Sequence, residues 1–411
     1  MRPWLSTLPI LLGLLFLQLA PAFAQEERKP LEQILLEKGV ITVDEAASVQ
    51  KQKLSKWVDR LTLSGDFRLR HESFMNNPQP DRHRQRFRLR LASEYRIGDF
   101  LVGVRLASGT GEQVSTNQSF DNLFTQKQIW IDRAYLQWSG LSWLTLTGGR
   151  MANPFFTIYT TDAVWDDDLN PEGFAENLNF KPSDQINLFA NIAQFVLDED
   201  STDNNDQWLF GEQAGAQVSL TKDTKATLAA AFYGFRNIQR GDVGQASGAG
   251  SGLGVVQDGN SRVSANGQVR SAFRVLDITA ELAMKMADLP VAIQGDYVQN
   301  LSAAAVGPKT SKEGNGYQFG LKVGKASDAN TWELAYYYKL LETDAVFADL
   351  ADSDFGNGGT NRKGHIFWGA YNLTSALQFK TKMFRTHTEN EQLPPGNKDI
   401  TRLQVDLVMK F

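Results

Sequence analysis

The stretch "RLQVDLVMKF" at residues 402–411 decides the fold. Counting back by twos, Phe411, Met409, Leu407, Val405 and Leu403 are all apolar. The alternate set, Lys410, Val408, Asp406, Gln404 and Arg402, is polar but for one valine. Side chains of a strand alternate between its two faces, so this is a strand with one apolar and one polar side. Such a strand needs a neighbour on each edge. Pairing with the first strand of a series would close the sheet on itself and leave no edge.

The same texture fills the chain from residue 60 onward. In "RLTLSGDFRLRHE" (60–72), Leu61, Leu63, Phe67 and Leu69 oppose Thr62, Ser64, Asp66, Arg68 and Arg70. In "RQRFRLRLASEYR" (84–96), Phe87, Leu89, Leu91 and Tyr95 oppose Arg84, Arg86, Arg88 and Arg90. Sixteen such segments can be counted, from 60–72 to 399–411. The links between them alternate: long at 73–83, 109–126, 151–172 and 343–362, tight around Gly98, Gly140, Asp288 and Thr374. Tight turns on one rim and long loops on the other, with an even strand count, predict an all-β transmembrane antiparallel barrel. In lipid only closure satisfies every backbone group of such segments. Three places break the pattern: Asp132 shares a face with Leu136, Glu176 with Leu178, and Arg150 with Leu144 unless Gly148-Gly149 carries a bulge.

The amino-terminal part reads differently. An early arginine, an apolar run from Leu8 to Leu19 and Ala22-Phe23-Ala24 predict a cleaved export signal over 1–24. Residues 25–58 are expected to hold a short periplasmic helix pair: Leu31, Ile34 and Leu35 share one face, Gly39 stops the first helix, and Thr42 with Glu45 has capping-box spacing. The barrel is expected over 59–411. Cysteine is absent, which excludes disulfides and thiol ligands. A net charge of −5 gives no basic excess for nucleic acid.

The signal, "ILLEKGVITVDEA" (34–46), "LTLSGDFRLRHE" (61–72), "IDRAYLQW" (131–138), "VWDDDLNPEG" (164–173), "QFVLDE" (194–199) and the final Phe411 together resemble a bacterial outer-membrane porin, most closely the family of putative porins. The resemblance implies passive diffusion of small hydrophilic solutes across the outer membrane, with lipid, lipopolysaccharide and the barrel-assembly machinery as partners. It implies that Phe411 belongs to the assembly signal. Well-known porins of this size form trimers, so a homotrimer is an expectation that no single residue carries. The alternative is a surface receptor or structural anchor without an open pore.

Charge points to the site. With polar faces inward, Arg68, Arg70, Arg84, Arg86, Arg88, Arg90, Arg105 and Arg133 form a basic wall. A dry core could not hold them, so they argue for a water-filled interior. By analogy with porins, the link at 151–172 folds inward, setting Asp162, Asp166, Asp167, Asp168 and Glu172 against that wall as a constriction with a transverse field. The competing view is a solvated outer loop plus a basic rim for lipopolysaccharide phosphates, with Arg82 and Arg84 as rim members. No cofactor, metal or catalytic site is expected. None of the four histidines stands in an HExxH pattern, Ser64 and His71 fall on opposite faces, and Pro171 occupies the glycine position of an EF-hand reading of "DDDLNPEG".

Overall fold

The structure, a computed structural model, describes residues 36–40, 42, 58–77, 80–159, 163–199, 201, 205–240, 259–263, 268–306, 311–393 and 396–411. The export signal and nearly all of the helix pair lie outside the described residues. At 36–40, Leu36 and Glu37 are helical and Gly39 takes a positive φ of 65°, the stop predicted there.

Sixteen long strands form one sheet: β1 (61–77), β2 (82–97), β3 (100–108), β4 (129–141), β5 (144–150), β6 (172–183), β7 (186–198), β8 (207–221), β9 (224–236), β10 (274–286), β11 (289–300), β12 (315–324), β13 (332–341), β14 (362–372), β15 (377–388) and β16 (399–410). Each pairs antiparallel with the next, and β1 also pairs with β16. The opening stretch closes the barrel. Leu69 stands opposite Leu407 and Arg70 opposite Asp406, and Gly65 and Phe411 exchange backbone hydrogen bonds of 2.8 and 3.1 Å. Alternation holds round the wall because one face is uniformly apolar. Leu63, Phe67 and Leu69 are exposed outside, whereas Asp66, Arg68 and Arg70 are buried inside. The first long link is shorter than expected. β1 and β2 continue towards each other, leaving only residues 78–81 between them.

The exceptions have separate causes. At Asp132 the register between β3 and β4 shifts, so the bulge turns both Asp132 and Arg133 inward while Ile131 and Leu136 stay outside. Between β4 and β5 the register runs unbroken from Leu146 to Arg150, so Gly148-Gly149 carries no bulge, and Arg150 faces outward with Leu146. Glu176 is also outward, opposite Ile192, and accepts a 3.1 Å hydrogen bond from Gln194 Nε2.

The long-loop half of the interior is filled. Residues 151–159, 163–171 and 342–361 fold inside and share an apolar cluster containing Val114, Phe155, Trp165, Phe195, Tyr233, Phe273 and Phe347. They are joined directly: Asp166 N donates to Leu350 O at 2.8 Å, and Ser353 N to Asp166 Oδ2 at 2.7 Å. Loop 151–171 is anchored to the far wall through Ala163 N to Asp296 Oδ2 (3.0 Å) and Phe156 N to Gln213 Oε1 (2.7 Å).

Candidate constriction site

Inward positions of β15, β16 and β1 to β4 make one continuous basic wall. All eight predicted arginines are on it, buried or half-buried. Lys380, Lys382 and Arg402 join them; Lys382 and Arg402 are buried. These three could have been found from sequence, because Arg402 belongs to the polar set of the opening stretch. Lys380 and Lys382 alternate with Phe379, Thr381 and Met383.

The wall carries some of its own counter-charges. Arg70 grips Asp406 with two hydrogen bonds, of 2.7 and 2.8 Å. Glu72 lies between Arg402 (2.5 Å), Arg84 and Arg86 (3.6 Å). Asp66 accepts from Arg88 at 2.9 Å and Arg90 at 2.7 Å. Arg105 pairs with Asp132. Planar guanidinium forks suit such bidentate and shared contacts, which explains why the wall is mainly arginine.

The folded-in loops supply the rest. Asp168 reaches Arg88 (3.5 Å) and Arg90 (3.6 Å). Asn170 Oδ1 accepts from Arg133 Nε at 2.6 Å and from Arg105 at 3.4 Å. From the second loop, Asp354 meets Arg402 (2.6 Å), Arg70 (3.7 Å) and Lys382 (4.0 Å), whereas Asp352 meets Lys339 on β13, outside this wall, at 3.7 Å. This second loop was not anticipated. Its signal was present in "DAVFADLADSDF" (344–355), which is too apolar for a solvated loop.

The loop carboxyls differ in state. Burial pushes Asp168 up, but Arg88 and Arg90 outweigh it and hold it below the usual carboxylate range. Burial likewise opposes ionisation of Asp354, and Arg402, Arg70 and Lys382 bring it well below that range. Asp167 has no such arginine. The protein crowded round it, then the charge of Asp168, push it up to about 6, although its side chain is exposed to the interior space. Asp166 is buried and raised well above the usual range, by burial first and then by Asp167 and Asp168. Its carboxylate turns away from the wall to Ser353 N and Asp168 N.

Glu172 is not at the constriction. Pro171 ends the loop, β6 begins at Glu172, and the strand's first side chain falls on the outer face, where it pairs with Arg150 at 2.6 Å. Asp162 lies outside the described residues. Of the remaining rim candidates, Arg84 belongs to the inner wall through Glu72, while Arg82 is exposed.

Comparison with known proteins agrees with this architecture. A family model described as "Putative porin" matches residues 73–411. Among solved structures, Salmonella typhi OmpF in complex with daunomycin superposes with a TM-score of 0.52 at 10% identity, covering 85% of this chain and 97% of that one. Pseudomonas putida OprB at high pH gives 0.52 at 8% identity, covering 87% and 96%. A mutant of the Rh. blastica porin gives 0.45 at 12% identity, covering 85% and 100%. The first two are alike in fold. No curated protein sequence matches the chain.

Proposed function

Because the chain belongs to the putative porin family, we propose that it is an outer-membrane channel for passive diffusion of small hydrophilic solutes, sorted by charge at the constriction. One observation carries this reading. A single wall of inward arginines faces Asp168 and Asp354 on folded-in loops, inside a barrel closed between β1 and β16. Opposed rows of fixed charge orient a passing dipole and favour one sign of ion. The basic side is the larger, so anions are favoured.

In this role the export signal at 1–24 directs secretion and Phe411 contributes to barrel assembly. Membrane lipid and lipopolysaccharide surround the outer wall. The chain acts as a conduit and performs no catalysis.

The experiment is the reversal potential of the reconstituted protein in a salt gradient, wild type beside an Arg86→Ala/Arg88→Ala/Arg90→Ala variant. An anion preference that the variant loses supports the wall as the conducting path. Conductance with unchanged selectivity would assign the arginines to structure alone. A barrel without an open pore is the second reading, favoured by the apolar cluster that fills the long-loop half. Absence of discrete conductance steps would establish it over the first.

A further inference from the structure

The constriction has an unequal partner on its short-turn side. A cavity of about 410 Å³ opens there, lined by β16 and β1 to β4. Arg88, Arg90, Arg105, Arg133 and Lys410 contribute cationic side chains to it, against the carboxylates of Asp66 and Glu94. Its volume is in the range of small-molecule sites.

Three of the five cations are matched by carboxylates. Asp66 and the loop carboxylate Asp168 are shared by Arg88 and Arg90, and Glu94 accepts from the Tyr135 hydroxyl at 2.9 Å. Arg105 is matched by Asp132 just outside the cavity. Among the described residues, Arg133 and Lys410 have no carboxylate at ion-pair distance. Arg133 is held through Nε alone, by the amide oxygen of Asn170 at 2.6 Å. That contact fixes the guanidinium and leaves its two terminal nitrogens for a ligand. A fixed fork of donors, with a second cation that has no ion-pair partner on the same cavity, suits a carboxylate or phosphate group.

We propose that this cavity binds small solutes bearing two negative charges, so that the channel favours organic dianions. The proposal rests on the channel reading for its purpose, but the site itself stands on the unmatched cations and the cavity. Two carboxylates on a short carbon chain, or one phosphate group, share the required chemistry.

The test is titration calorimetry of the folded, detergent-purified protein with succinate and, separately, with inorganic phosphate at fixed chloride. The proteins are wild type, Arg133→Ala, Arg133→Lys and Lys410→Ala. Saturable binding is expected, weakened at least about tenfold by Arg133→Ala and less by Arg133→Lys, which keeps the charge and loses the fork. Lys410→Ala should weaken it several-fold, roughly as for an exposed charge. Comparison of the two anions decides between paired carboxylates and a phosphate. The heat-dependent shift of the barrel on electrophoresis verifies that each variant is folded. Absence of saturable binding by either anion overturns the proposal, as does binding that both alanine variants leave unchanged. Binding without conductance in bilayers would keep the site and remove the channel. Conductance without binding would do the reverse.

Discussion

Asp354 is the residue whose loss tests whether the second loop is held in place by charge. It is about one-fifth exposed, with a side-chain accessibility of 21%, and lies 2.6 Å from Arg402, 3.7 Å from Arg70 and 4.0 Å from Lys382. Removing one partner of a fully buried pair costs about 3–5 kcal/mol. Two features reduce that here. The carboxylate is partly hydrated, and its main partners keep other acids: Arg402 retains Glu72 and Arg70 retains Asp406. For Asp354→Ala the loss is therefore about 2 kcal/mol. Taken from the docked state of the loop, that shifts the docked-to-released ratio by roughly 30-fold. Single-channel recording should show larger or flickering currents and a stronger anion preference. The tether should be insensitive to pH in the neutral range. Its folded-state pKa lies well below the unfolded one, so its stabilisation is fully present above about pH 4 and is lost only as pH falls through the depressed value. Currents and selectivity identical to wild type, in a protein whose barrel is intact, would refute the claim that this carboxylate pins the loop.

Asp167 should behave in the opposite way. Its folded-state pKa is raised to about 6, so the folded protein holds this proton more tightly than the unfolded chain. The group costs stability above about pH 6 and costs none below about pH 4. As pH falls through 6 the constriction loses a negative charge. Anion preference measured by reversal potential should rise between pH 7 and 5, and Asp167→Asn should abolish that rise. Glu72→Gln leaves Arg402, Arg84 and Arg86 around a neutral amide in a fully buried site. It should lower barrel stability by about 3 kcal/mol, read as a drop in the denaturant midpoint; an unchanged midpoint would show that the arginines find other partners. Gly65→Val probes the seam. A Cβ at Gly65 would lie 2.6 Å from both the Arg90 carbonyl oxygen and the Phe411 ring, so both the ring and the β2 backbone must give way, at a cost of about 1–3 kcal/mol or more. The folded fraction in detergent should fall; a yield equal to wild type would show that the seam between β1, β2 and β16 accommodates the side chain and that close packing at Gly65 is not needed for closure.

The barrel was legible in the sequence because its outer face repeats one instruction at every second residue. The inner face carries no such uniformity, and there the pattern fails where geometry intervenes. At Asp132 a single extra residue reverses the phase, so a correctly read strand puts one charge on an unexpected side. At Glu172 the acidic run of the loop continues in sequence past the point where the strand begins, and composition cannot mark that boundary. The link at 343–362 reads from its length only as a long connection, whereas Phe347, Leu350 and Phe355 are buried in the structure. Lys380, Lys382 and Arg402 obey the alternation rule, but they stand singly or in a pair on the last two strands, without the run of arginines that marks β2 as basic.

The wall and the loops depend on one another. Cations placed at every second residue across adjacent strands repel, and in a confined space that repulsion is weakly screened. The strand carboxylates Asp66, Glu72 and Asp406 relieve part of it, but each is shared among two or more cations. The remaining relief comes from Asp168 on one loop and Asp354 on the other, each meeting a different half of the wall. Docking the loops therefore contributes to the stability of the strands they narrow. The same contacts that make the barrel foldable fix where charge lies along the path. Loop substitutions should then change stability and selectivity together, whereas substitutions of Arg133, which is held by an amide and faces the cavity beyond the constriction, should change solute binding with little effect on stability.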